Sequence, residues 1–279
     1  MLIRCYGARG SIPVSGKDYL VYGGNTTCME IRTSDDKIII IDAGTGIREL
    51  GNRLLTEESN IYHLIFTHAH WDHLMGFPFF KPIYHEKVKI FMYGCPFAQK
   101  TVKNIVSGTM QPPNFPIRFE SVQAHFTYYE TCEKPFSIGS MDVEAILLSH
   151  PNQGIGYKFT EEGKTFVFLT DNELQYTHPR GLKFDDYREF STNADLLIHD
   201  AEFTENEYAR TRTWGHSTYT DALRLAIEAN VVQFGLFHHN QGRTDTELDQ
   251  LVEHSNEIAA SKNSSLRCFA IAQGMEIEL

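Results

Sequence analysis

No apolar run in this chain approaches the roughly 20 residues of a membrane-spanning helix, which argues against a helical membrane protein. Cysteine is scarce. Cys5, Cys28, Cys95, Cys132 and Cys268 are odd in number, widely spaced and free of any C-x-x-C, so neither a disulfide scaffold nor a thiolate zinc site is expected. All five read as reduced thiols. The segment Met1-Leu2-Ile3-Arg4-Cys5-Tyr6 enters a strand-like stretch without the apolar core of a signal peptide, and with reduced thiols this points to a cytoplasmic protein. No Pro/Gly/Ser-rich linker, low-complexity tract or long charge run divides the sequence. Residues 1–279 are therefore expected to form a single domain, a length that buries a full core. Basic residues are in deficit as well, with 25 Lys and Arg against 36 Asp and Glu and a net charge of −11. Long nucleic acids are held largely by neutralising phosphates, so this balance disfavours tRNA or polymer DNA as a partner.

Histidine, by contrast, is concentrated where it matters. His68-Ala69-His70-Trp71-Asp72-His73 follows the apolar run 61–67 and sets three imidazoles and a carboxylate within six residues. Neutral imidazole is the commonest ligand for zinc and its neighbours, and a carboxylate can bridge or cap. On a loop leaving a strand, alternate residues turn to one side. His68 and His70 can then share one metal while Asp72 and His73 face a second. The bland alternative is a surface histidine cluster. Later segments weaken it, because four more apolar runs end on a His or Asp: at His150, Asp171, His199-Asp200 and His238-His239. Sites in α/β sheets gather beyond the carboxyl ends of strands, so these side chains can converge.

The motif His68-x-His70-x-Asp72-His73 resembles the signature loop of the metallo-β-lactamase fold superfamily, and the resemblance runs over essentially the whole chain. It implies an α/β fold: a four-layer αββα sandwich, two mixed sheets flanked by helices. It implies one metal on His68, His70 and His150 and a second on Asp72, His73 and His238, with Asp171 bridging; His239 remains an alternative to His238. Asp42 resembles the family's buttressing aspartate. Two divalent metal ions per chain are implied, with zinc first and manganese or iron compatible with the same donors.

Two further segments are similar to the phosphodiesterase branch of that superfamily, the branch of tRNase Z and of cyclic-nucleotide phosphodiesterases. They are Ile198-His199-Asp200-Ala201-Glu202-Phe203 and Trp214-Gly215-His216-Ser217-Thr218. The resemblance gives His216 a role at the scissile phosphate and Asp200 the task of orienting it; Asp72 is a further catalytic candidate as well as a metal ligand. The chemistry stands on its own terms. A phosphodiester expels an alkoxide, and a protonated imidazole lowers the barrier to its departure. A plain helix-capping loop with a solvent histidine is the alternative. The leading expectation is a dinuclear metal-dependent phosphodiesterase in which a metal-bound hydroxide attacks a small nucleotide diester, cyclic or linear. Alternatives are a hydrolase of a carbon ester, thioester or β-lactam, a tRNA 3′-processing endonuclease, and a non-catalytic binding module.

Periodicity supplies the frame. Strands are expected at 26–33, 37–42, 61–66 and 87–92, several more between 117 and 170, and a hairpin at 161–164. Helices are expected over 47–55, 97–106 and 245–260, the last capped by Thr244-x-x-Glu247, and Thr218-x-x-Asp221 reads as a second capping box. The Pro112–Pro116 loop is either a lid whose Phe115 stacks on a base or a packed crossover, which could also be a contact in a homodimer. Arg9, in a glycine-rich turn, could reach a phosphate, although a turn is its default reading.

Overall fold

The computed structural model describes residues 1–95, 101–132 and 134–279. Among these residues two seven-stranded sheets face one another. The first holds β1 (Leu2–Gly7), β2 (Cys28–Arg32), β3 (Ile38–Ile41), β4 (Ile61–Ile65), β5 (Lys89–Gly94) and β6 (His125–Glu130) in sequence order, with β14 (Glu276–Glu278) beyond β1. The second holds β7 (Phe136–Ile138), β8 (Met141–Leu148), β9 (Gly154–Glu161), β10 (Lys164–Leu169), β11 (Leu196–Asp200), β12 (Gln233–Phe237) and β13 (Arg267–Ala270), again in sequence order. Both sheets are mixed. Pairing is antiparallel from β14 to β3 and from β7 to β10, and parallel from β3 to β6 and from β10 to β13.

Side-chain alternation explains the layers. Along β3, Ile39 and Ile41 enter the core between the sheets, while Ile38 and Ile40 enter a second core on the outer face. A strand covered on both faces reads as a continuous apolar run, which is why four isoleucines stand in a row. Phe166 and Phe168 of β10 likewise point inward, and Val167 and Leu169 outward. The outer face of the first sheet is covered by α1 (Ile47–Leu54) and α2 (Val102–Gly108). That of the second is covered by α3 (Phe184–Phe190), α5 (Tyr219–Glu228) and α6 (Asp245–Ser261), while α4 (Glu205–Thr211) bonds to Glu173 and Arg243, past the ends of β10 and β12. The result is the αββα sandwich.

Several local expectations hold. The β2–β3 and β9–β10 hairpins form, and Thr244 and Glu247 cap α6 reciprocally. The helix expected over 97–106 is found at Val102–Gly108, and 97–100 lie outside the described residues. Two expectations fail, and the weaker reading of Arg9 is not realised. Thr218 caps α5 by accepting from the Asp221 N–H, but the Asp221 carboxylate takes the Thr218 hydroxyl and the Gln175 amide, so the reciprocal half of that capping box is missing. Arg9 does not reach the site; it is fully buried, donating to the carbonyls of Gly23, Asn240 and Arg243. Finally, Cys95 and Cys132 form a disulfide, so the five cysteines are not all reduced; Cys5, Cys28 and Cys268 are free and buried. Parallel pairing brings the two together. Gly94 of β5 lies opposite Glu130 of β6, and each cysteine stands just past that register point. Phe115 packs edge-on against Phe79, giving the proline-rich loop a packing partner. No helix among the described residues is long and apolar enough to cross a membrane.

Candidate active site

Strand ends build the site. Asp42 follows β3, the His68–His73 loop follows β4, His150 follows β8, Asp171 follows β10, Asp200 ends β11, and His238 follows β12. Asp42, Asp171 and His238 take left-handed backbone angles, with φ of 61°, 54° and 55°. Non-glycine residues adopt that region at a cost, and here it turns each side chain off its strand toward the others.

Two groups of donor atoms gather around Asp171, and a third, Asp200, Glu202, His216 and His238, adjoins them. His68, His70, His150 and Asp171 form one; Asp72, His73, Asp171 and His238 form the other, and within each the donor atoms lie within 4.8 Å of one another. Asp171 belongs to both. Its Oδ2 lies 3.4 Å from His68 Nε2 and 3.3 Å from His238 Nε2, and its Oδ1 lies 3.3 Å from His73 Nε2. His150 Nε2 and His70 Nδ1 are 3.0 Å apart. His238 Nε2 is 3.1 Å from Asp72 Oδ2, whereas the neighbouring His239 turns away and spends its Nε2 on the Ile271 carbonyl at 2.8 Å. Close packing fixes this orientation, since a Cβ at Gly10 would lie 2.2 Å from His238 Nδ1.

These donors suit cations. His68 Nε2 and His73 Nε2 are buried, face the shared carboxylate and have no hydrogen-bond partner. Leaving such atoms unpaired is costly unless something else fills the position. Burial, reinforced by neighbouring imidazoles, pushes His68 and His150 well below the usual imidazole range, and His70 is lowered by the same cause. Neutral imidazole is the form that binds metal. In the second group burial opposes charge, but Asp171, Asp72 and Asp42 outweigh it and hold His73 well above its ordinary value. A pocket that makes a buried imidazole retain a proton is one that attracts positive charge. Outer partners fix the rings. Asp42 Oδ2 meets His73 Nδ1 at 2.7 Å, Glu202 Oε2 meets His238 Nδ1 at 2.9 Å, and the Gly215 carbonyl accepts from His150 Nδ1 at 2.9 Å. The Ser11 N–H donates to Asp72 Oδ2 at 2.8 Å.

His216 stands against both groups. Its ring stacks on His238 at 4.6 Å and lies 5.3 Å from His150. Nδ1 is 2.9 Å from Asp200 Oδ2 and 3.5 Å from Glu202 Oε2, which leaves Nε2 as the proton available to a substrate. Burial works against a charged ring, yet Glu202 and Asp200 prevail and raise His216 to about 9. These two carboxylates favour the charged ring. Asp200 also accepts from the N–H groups of Glu202 and Ser217, at 3.0 and 3.3 Å.

Two buried acids escaped the sequence reading. Glu202 couples His216 to His238, and its one signal was its place in the run 198–203. Glu173 gave no signal, since nothing local distinguishes a glutamate four residues past a strand end. Its Oε1 accepts from Tyr208 Oη (2.6 Å) and the Thr213 N–H (2.7 Å). Its Oε2 accepts from the Gly215 N–H (2.9 Å) and pairs with His178 Nε2 at 2.7 Å. The loop carrying His216 is thus pinned to the Asp171 loop. Gly215 is required there: φ is 96°, and a Cβ would lie 2.1 Å from His150 Nδ1.

Residues 37–239 match the model of the beta-lactamase superfamily domain. Ribonuclease Z of Haloarcula marismortui is 22% identical, over 92% of this chain and 91% of its own. The metallo-beta-lactamase fold protein YhfI from Bacillus subtilis superposes with a TM-score of 0.72 at 18% identity, covering 100% of this chain and 99% of its own. The short form of human tRNase Z superposes with a TM-score of 0.68, also at 18% identity and with the same coverage. With the family model spanning most of the chain and both sheets in the expected order, the protein belongs to the metallo-β-lactamase superfamily.

Proposed function

We propose that the protein is a dinuclear metal-dependent phosphodiesterase acting on a small nucleotide diester. The observation that carries this reading is His216: an imidazole whose charged form Asp200 and Glu202 favour, set against both donor groups, with Nε2 unengaged. Hydrolysis of a thioester or β-lactam places less demand on such an acid, whereas a nucleoside alkoxide is a poor leaving group. His68, His70, His150 and Asp171 would hold one cation, and Asp72, His73, His238 and Asp171 the other. Two divalent cations supply Lewis acidity in such a donor set, acidifying water and neutralising charge on phosphoryl oxygens. The chain's own residues do the rest. Asp200 holds His216 in the orientation that presents the Nε2 proton, Glu202 keeps the ring charged, and Nε2 delivers the proton to the departing oxygen.

The net charge of −11 supports a small diester over a polymer, since a polyanion must approach an acidic surface. Cleavage of RNA is the second reading, favoured by the ribonuclease Z relative. A substrate panel separates them: bis-(p-nitrophenyl) phosphate, cyclic mononucleotides, dinucleotides, a precursor tRNA, a thioester and a β-lactam, each with zinc, manganese and iron. Small phosphodiesters should be turned over fastest. Dominant β-lactam or thioester hydrolysis would overturn the proposal, and dominant tRNA cleavage would overturn its substrate class.

A further inference from the structure

Beside His216 opens a cavity of about 380 Å³, within the size range of small-molecule sites. Its walls include Ser11, Glu202, Asn240 and Trp214. Ser11, on its wall, donates its N–H to Asp72, so the cavity lies next to the second donor group and reaches from His216 to the indole. Trp214 is one of two tryptophans in the chain and is 62% exposed. Exposing so large an apolar ring is unfavourable, and a mobile surface loop would be the simple explanation. This loop is instead held in place. The Thr213 and Gly215 N–H groups, on either side of Trp214, both donate to the buried Glu173 carboxylate, and the Trp214 N–H donates to the Thr211 carbonyl at 3.0 Å. A buried acid therefore fixes the backbone on both sides of an indole that faces solvent. An exposed aromatic ring on a fixed backbone at a cavity wall is a stacking platform whose loop is already ordered.

Resting on the phosphodiesterase reading, we propose that this cavity is the subsite for the leaving nucleoside, whose base stacks on Trp214. The proton on His216 Nε2 goes to the oxygen that departs as the phosphorus–oxygen bond breaks. Whatever that oxygen carries occupies the cavity His216 lines. The indole suits a nucleobase, and the Ser11 side chain suits a ribose hydroxyl.

The test uses a dinucleoside monophosphate and its two abasic counterparts, each lacking one base. With metal-loaded protein, one abasic diester should show a KM raised roughly tenfold, the worth of one stacked base, at little changed kcat. That discrimination should vanish in Trp214→Ala and persist in part in Trp214→Phe. A second readout needs no turnover. In Trp71→Phe the sole tryptophan is Trp214, and metal-free protein should show saturable quenching by the dinucleoside and weaker quenching by the same abasic diester. Equal KM for all three diesters with no quenching would overturn the subsite while leaving the phosphodiesterase reading intact, provided bis-(p-nitrophenyl) phosphate is cleaved. If no phosphodiester is cleaved, that reading falls, and the quenching alone decides the subsite.

Discussion

Replacing Glu173 by Gln tests whether the second loop is part of the site's machinery or only its support. Each carboxylate oxygen accepts two hydrogen bonds, and an amide nitrogen accepts none. If the new amide nitrogen takes the Oε2 place, His178 can change tautomer and accept from it, but the Gly215 N–H is orphaned. If it takes the Oε1 place, the Tyr208 hydroxyl can turn and accept, but the Thr213 N–H is orphaned. Either way one buried backbone donor loses its acceptor, at about 1–3 kcal/mol. The loop relaxes to recover that energy, and the Gly215 carbonyl moves with it, releasing His150 Nδ1. Loss of such an outer partner typically weakens metal binding about 10–100-fold. Competition with a chromophoric chelator should therefore find one of two sites weakened by that factor, with the unfolding midpoint lowered by only a few degrees. Unchanged metal affinity and kcat alongside a lower melting temperature would refute the coupling and make Glu173 a brace.

Elemental analysis should find two divalent metals per chain, falling toward one in His70→Ala and disturbed at both positions in Asp171→Ala, whose carboxylate faces both groups. One metal in the unaltered protein would contradict the dinuclear account. His216 is held to about 9 chiefly against burial by Glu202 and Asp200, so activity on a nucleoside diester should fall as pH rises and the ring loses its proton. Bound cations oppose a neighbouring charge, so the limb should lie below that value in the loaded protein. Glu202→Gln removes a carboxylate that raises the pKa and should move the limb to lower pH; an unmoved limb in a pH–rate profile would assign it to another group. Thiol titration of denatured, unreduced protein should count three cysteines, rising to five after reduction. Five before reduction would remove the Cys95–Cys132 bond.

The His68–His73 cluster was legible because its donors are adjacent and follow an apolar strand. His150, Asp171 and His238 were legible because each ends another such strand. What was not legible depends on contacts across the chain. His238 and His239 are equivalent by position, and only the left-handed turn at His238, together with the room Gly10 leaves, decides which of them enters the site. Glu173 acts on residues 40 and 42 positions away, Thr213 and Gly215, through hydrogen bonds that no local pattern records. The weaker reading of Arg9, a reach to a phosphate, is not realised for the complementary reason. An arginine in a glycine-rich turn suggests a phosphate, but its guanidinium is used on buried carbonyls from the far end of the chain. The disulfide was missed because spacing alone does not show that β5 and β6 are neighbours.

The central claim is that His216 protonates the leaving oxygen of a phosphodiester, and leaving-group dependence tests it most directly. His216→Ala should retain its metals, because the donors lie elsewhere. On a diester that expels a nucleoside alkoxide, its kcat should fall about 10²–10⁴-fold, the usual worth of a general acid. On bis-(p-nitrophenyl) phosphate, whose p-nitrophenolate needs no proton to depart, the loss should be far smaller. Asp200→Asn should follow the same pattern more weakly, and the double variant should be little worse than His216→Ala. An equal loss on both substrates would make His216 a phosphate-binding group, and no loss on either would make it a bystander; both results contradict the account.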